Sequence, residues 1–97
     1  MYYPKRTGQF KKDYKLCSKR NYDLKLLDDV IEKLVISGKL PQKYNPHPLQ
    51  GTYNGYKEAH IEPNWLIIWK TEHDCPSGFE GTLHLTRTGT HSDLFKK

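Results

Sequence analysis

Ala59-His60-Ile61-Glu62-Pro63-Asn64-Trp65-Leu66-Ile67-Ile68-Trp69-Lys70 is the stretch on which the fold turns. From Trp65 to Lys70 the chain is a nearly continuous apolar run, the pattern of a central strand covered on both faces. Ahead of it, Tyr56 to Glu62 alternates. Tyr56, Glu58 and His60 fall on one face of that strand, and Lys57, Ala59 and Ile61 on the other. Glu62-Pro63-Asn64 turns the chain between the two.

Outward toward the C-terminus, Thr71 to Gly81 holds Asp74, Pro76, Ser77 and Gly78, a connection too loose for a tight hairpin. Thr82 to Thr88 reads as a further strand, and Gly89-Thr90-His91 leads into a short tail. Outward toward the N-terminus, Lys39 to Gly55 is loop chemistry, rich in Pro, Asn, Gly and Tyr. A loop of that length inside a small domain points to function. Before it, Leu27, Val30, Ile31, Leu34 and Val35 form one apolar stripe, with Asp28, Asp29, Glu32 and Lys33 on the other side. Asn21 is placed to cap this helix at its start and Gly38 to end it in a left-handed conformation. Phe10, Tyr14 and Cys17 recur at helical spacing after Thr7, another capping residue, and Tyr2 to Arg6 suits a strand. The order β-α-α-β-β-β predicts a single α+β domain over residues 1–97: a small, mostly antiparallel sheet with a two-helix hairpin packed on one face.

A chain of 97 residues builds one modest core. No apolar run approaches the roughly 20 residues of a membrane span, so no membrane partner is expected. The N-terminal Met1-Tyr2-Tyr3-Pro4-Lys5-Arg6 lacks the apolar segment of a secretion signal, and a cytoplasmic location is expected. On that basis Cys17 and Cys75 read as free thiols. The formal charge of +5 is uneven: Lys5, Arg6, Lys11, Lys12, Lys15, Lys19 and Arg20 crowd the opening segment, with Asp13 its single acid. Charge alone does not decide between a solvated helix face, a phosphate-binding surface and a dock for an acidic partner.

The chemically capable residues lie in the second half. His47 sits in the constrained loop, His60 in a strand, and His91 after the last strand with Arg87 close before it. Imidazoles exchange protons near neutral pH, and a guanidinium fork matches phosphate oxygens. Metal-independent RNA cleavage needs this kit: a base for the 2′-hydroxyl, an acid for the departing 5′-oxygen, and cations for charge on phosphorus. Trp65 and Phe95 offer flat rings for unstacked bases, although periodicity alone places Trp65 in the core. Arg87 alternates with Leu83 and Leu85, so it reaches a polar site only near the strand end or after a bulge. His73, Cys75 and His84 match no standard zinc spacing, so neither metal nor cofactor is expected.

Three stretches together resemble the YafQ-type toxins of the RelE/ParE superfamily: His47-Pro48-Leu49-Gln50-Gly51, Gly55-Tyr56 running into Ala59 to Ile68, and Arg87-Thr88-Gly89-Thr90-His91-Ser92-Asp93-Leu94-Phe95. The resemblance covers nearly the whole chain. It implies a RelE-like fold and an endoribonuclease that cuts mRNA, typically at the ribosome, as the toxin of a type II toxin–antitoxin system. It also implies a cognate antitoxin, acidic or DNA-binding, that wraps and silences it. Position by position, His47, His60 and His91 match histidines tied to catalysis, with His91 the favoured general acid, and Arg87 a basic position that would stabilise phosphate charge. Trp65 and Phe95 match aromatic positions near the RNA. Asn64, and Lys11, Lys12 and Lys15 of the basic segment, complete the expected RNA contacts. One departure stands out: the family pattern has an aspartate where this chain has Asn64, which can hydrogen-bond but cannot act as a carboxylate base. His60 or His47 would then serve as base. The competing reading is a non-catalytic RNA- or antitoxin-binding module acting as a co-repressor.

Overall fold

The computed structural model describes residues 1–95. Strand β1 (Tyr2–Arg6) leads into helices α1 (Gly8–Lys19) and α2 (Leu24–Ser37). The loop after α2 contains two 3-10 turns, Gln42–Tyr44 and Gly51–Tyr53, and between them the two-residue strand β2 (His47–Pro48). Strands β3 (Lys57–Glu62), β4 (Trp65–Glu72) and β5 (Gly81–Gly89) follow, and helix α3 (His91–Phe95) closes the described chain. The five strands form one sheet in the order β1-β5-β4-β3-β2, antiparallel throughout except for the parallel pairing of β1 with β5.

The expected α+β layout is present, with three differences in detail. The segment expected as a tail is helix α3, because Thr90 and Asp93 cap it reciprocally: the Thr90 backbone N–H donates to Asp93 Oδ2 (2.9 Å) and the Asp93 N–H to Thr90 Oγ1 (3.1 Å). Asp93 can fold back this closely because residue 89 is glycine; a Cβ there would lie 2.9 Å from its carboxylate oxygen. The cap of α2 is Asp23, whose side chain accepts from the Lys25 N–H, whereas Asn21 takes up the left-handed turn between the helices with φ 62°. The constrained loop also contributes an edge strand, β2, paired with β3. Thr7 and Gly38 do cap α1 and α2, Gly38 in a left-handed conformation with φ 73°.

Both faces of β4 are covered, as its composition requires. Trp65, Ile67 and Trp69 pack with Phe10, Leu27, Val30 and Leu34 of the two helices, while Leu66 and Ile68 point the other way and meet Leu94 of α3 with Leu49, Tyr53 and Tyr56. Cys17 is buried in the helix-side core, and burial pushes its thiol pKa up, so it stays a neutral, small apolar residue. The second face is only partly roofed, and its open part holds the polar residues described next.

Candidate active site

Cross-strand register determines which side chains meet on the open face. In β3, Glu58 and His60 point away from the helices, because Ala59 between them joins the helix-side core. Glu58 pairs across the sheet with His47 on one side and Ile68 on the other, and Ile68 pairs with Arg87. Plain alternation from Leu83 and Leu85 would turn Arg87 toward the helices. An irregularity intervenes: Trp69 pairs with Leu85 but its neighbour Ile68 with Arg87, leaving Thr86 as the extra residue. That bulge transfers Arg87 to the open side. His47, Glu58 and Arg87 therefore share one row across the sheet, with His60 one step along β3.

The three histidines come together. Ring centroids of His47 and His60 are 6.3 Å apart, and those of His60 and His91 6.0 Å. Each ring is oriented through Nδ1. His47 Nδ1 is 2.8 Å from the Asn45 carbonyl, His60 Nδ1 3.3 Å from the Pro63 carbonyl, and His91 Nδ1 3.1 Å from Asn64 Oδ1. The first two partners are carbonyls and only accept, so Nδ1 carries the hydrogen in both rings. The same holds for His91, because Asn64 also receives the His91 backbone N–H (3.3 Å), and only its amide oxygen can do so. Asn45 aims its carbonyl at His47 from a left-handed conformation with φ 51°, which asparagine tolerates.

The Nε2 atoms differ. His47 Nε2 lies 3.0 Å from Glu58 Oε2, so this edge of the imidazole is already taken. No other described residue engages Nε2 of His60 or His91, and each is available to a substrate. Glu58 is only 5% exposed, and its Oε1 has no hydrogen-bond partner among the described residues. Removing a carboxylate from water without full pairing is costly, which binds it tightly to the neighbouring imidazole.

Arg87 donates through Nε (2.8 Å) and Nη2 (3.3 Å) to the buried Asp13 of α1. That pairing, ahead of the opposing effect of burial, holds its pKa above the ordinary value, and the Tyr53 hydroxyl adds in the same direction. Arg87, His91 and Phe95 line a groove of about 750 Å³ between α1 and α3, whose other wall is Gln9, Asp13 and Leu16. Phe95 is 38% exposed and stands edge-on to Tyr53 at 5.9 Å. Helix α3, which carries His91 and Phe95, is clasped to α1 by the Arg20–Asp93 ion pair (2.7 Å). Hydrogen bonds from Arg20, and then from Thr90, hold the Asp93 carboxyl well below the usual carboxylate range.

Of the residues singled out in the sequence, His47, His60, His91, Arg87, Asn64 and Phe95 are gathered here. Trp65 is not on this open face: it is 2% exposed, packs against Tyr22, and its indole N–H donates to Thr88 Oγ1 (3.0 Å). Its place in β4 turns it to the helix side, so the expected stacking role is replaced by a core role. Lys11, Lys12 and Lys15 are exposed on α1. Helical spacing carries Lys12 to the rim of the groove, between Gln9 and Leu16, and turns Lys11 and Lys15 farther round toward solvent. Glu58, Asp13 and Tyr53 were not anticipated. An acid in an alternating strand, an acid in a basic helix and a loop tyrosine carry no local signal; only the folded chain brings them to the histidines and Arg87. His84 lies elsewhere on the sheet, paired with Glu72 at 2.6 Å, and no cluster of three or more metal-ligating side chains forms among the described residues.

Known proteins are similar to this chain in sequence and fold. The family described as bacterial toxin of type II toxin–antitoxin system, YafQ, matches residues 2–96. The mRNA interferase toxin YafQ of Escherichia coli K12 is 40% identical over 90 residues, covering 92% of this chain and 90% of that protein. The toxin in the crystal structure of the E. coli DinJ–YafQ toxin–antitoxin complex superposes with a TM-score of 0.80 at 38% identity, covering 97% of each chain. A metal-bound toxin from Helicobacter pylori superposes with a TM-score of 0.84 at 36% identity, covering 98% of this chain and all of that one. With a family match over almost its full length and a RelE-like architecture, the chain belongs to the YafQ family of type II toxin–antitoxin toxins.

Proposed function

We propose that this toxin is an endoribonuclease that cleaves mRNA by general acid–base catalysis, with His60 as base and His91 as acid. The observation that carries the reading is that His60 and His91 stand 6.0 Å apart with both Nε2 atoms free, beside a guanidinium on the same open face. In its neutral form His60 has its hydrogen on Nδ1 and a lone pair on Nε2, as a base requires. It removes the 2′-hydroxyl proton of the substrate, O2′ attacks the adjacent phosphorus, and the P–O5′ bond breaks. His91, protonated at Nε2, delivers its proton to the leaving O5′. The products are a 2′,3′-cyclic phosphate and a 5′-hydroxyl, and each proton is accounted for. Arg87 faces the negative charge that grows on the phosphoryl oxygens. Glu58 occupies Nε2 of His47, so His47 serves as a wall of the site and not as the base. Phe95 offers a ring for a base next to the scissile bond.

A cognate antitoxin that covers this face is the expected partner, as DinJ is in complex with YafQ. The ribosome is expected to present the mRNA.

Antitoxin-free protein incubated with a defined mRNA, with and without translating ribosomes and with chelator present, tests this. Cuts that resist chelator, leave 5′-hydroxyl ends and fall by about 10²-fold or more in His91→Ala match the acid–base scheme. Cleavage leaving 5′-phosphate ends, or unaffected by His91→Ala, refutes it.

A further inference from the structure

We infer that Asp13 is a positioning residue of the nuclease site, the group that sets which edge of the Arg87 guanidinium meets the RNA phosphate. The inference rests on the nuclease reading above and extends it to a residue on α1, remote in sequence from every other member of the site.

Asp13 is an unusual occupant of its position. Its neighbours on the inner face of α1 are Phe10 and Cys17, and it is as buried as they are, with 5% exposure. Desolvating a carboxylate costs several kcal/mol unless its lone pairs are used. Here they are. Oδ1 accepts from Gln9 Nε2 (3.0 Å) and Arg87 Nη2 (3.3 Å), and Oδ2 from Arg87 Nε (2.8 Å) and the Thr88 backbone N–H (3.2 Å).

The pattern does more than tie a helix to a strand. Arginine has five N–H donors, and Asp13 takes the Nε–Nη2 edge. The two hydrogens of Nη1 and the outer one of Nη2 stay free of Asp13, and Arg87 lines the groove shared with His91 and Phe95. The Thr88 N–H is the first backbone donor after Arg87, so the carboxylate also fixes the strand just beyond the bulge that moved Arg87 to this side. The bulge chooses the face, and Asp13 chooses the rotamer and the edge. A flexible side chain becomes a fixed fork before substrate arrives.

Asp13→Asn is nearly isosteric but directs an amide N–H₂ at donors, so it releases Arg87 while removing the charge that offsets it. The test measures kcat and KM for mRNA cleavage, with melting temperatures, in the wild type, Asp13→Asn, Arg87→Leu and the double variant. Asp13→Asn is expected to lower kcat about 10- to 100-fold, the scale of a misplaced catalytic group. Its KM should stay level or fall, because the freed cation still attracts RNA. In the double variant no guanidinium is left unpaired. Its kcat/KM should equal that of Arg87→Leu within about twofold, since Asp13 acts only through Arg87. This comparison decides the matter even where the single Asp13→Asn variant folds poorly. A wild-type kcat in folded Asp13→Asn, or a further large loss in the double variant over Arg87→Leu alone, overturns the positioning role. An inactive wild type instead overturns the nuclease reading, and this role with it.

Discussion

Trp65→Phe separates the two roles that residue 65 could play. In the structure the indole is sealed in the helix-side core, and its N–H ends on Thr88 Oγ1, which in turn donates to the Leu66 carbonyl (2.7 Å). Phenylalanine keeps an aromatic ring, so a stacking surface for RNA would survive. The buried hydrogen bond would not, at a cost of about 1 kcal/mol. The lost part of the ring adds on the order of 1–2 kcal/mol in transfer energy and residual cavity. A domain of this size shifts its melting temperature by roughly 4–8 °C per kcal/mol. The sum is therefore a drop of about 10–20 °C, with kcat/KM for cleavage unchanged within about threefold at a temperature where both proteins are folded. Phe95→Ala, at an exposed position, is the counterpart, with little change in melting and roughly a tenfold rise in KM from the lost stacking surface. Differential scanning calorimetry beside the mRNA cleavage assay reads both quantities. A Trp65→Phe protein that melts within about 3 °C of the wild type yet loses cleavage would refute the placement of Trp65 in the core.

Two further outcomes follow from the groups around His91. Asn64→Asp sets a carboxylate against His91 Nδ1–H and favours the imidazolium, so the alkaline limb of the kcat/KM profile, where the general acid loses its proton, should move up by roughly one pH unit; an unmoved limb would disprove the contact as the structure draws it. Asp93 is held below the carboxylate range chiefly by Arg20. A lowered folded-state pKa gives stability that is complete above the unfolded value of about 4 and is lost as pH falls toward the folded value. Melts between pH 5 and pH 2 should accordingly decline more steeply for the wild type than for Asp93→Asn, and parallel curves would contradict the pairing.

The elements of the fold were legible where periodicity was strong. Trp65 to Lys70 announced a two-sided strand, and the stripe from Leu27 to Val35 a helix; both are present. Helix α3 was not legible, because five residues carry too little pattern and its cap uses Asp93 in place of the usual glutamate. For the site, histidines and Arg87 announced themselves by chemistry, and the need for a bulge to expose Arg87 was visible in its alternation with Leu83 and Leu85. Trp65 was ambiguous because resemblance and periodicity pointed opposite ways, and strand direction settled it. Glu58 and Asp13 were invisible for a different reason. Their partners lie 11 and 74 residues away in the chain, and an acid in an alternating strand or a basic helix reads as ordinary solvated surface.

The parallel pairing of β1 with β5 sets an order of events during synthesis. Residues 2–6 are made well before their partners, 81–85. Nearly as long a span separates Asp13 from Arg87 and Arg20 from Asp93. At roughly 5–20 residues per second, several seconds pass in which helices α1 and α2 can form while the sheet edge stays open. Throughout that interval the nascent chain lacks the strand and helix that carry Arg87 and His91, so the proposed site cannot assemble. The site is complete only when the chain closes on itself, first residues against last-made strand.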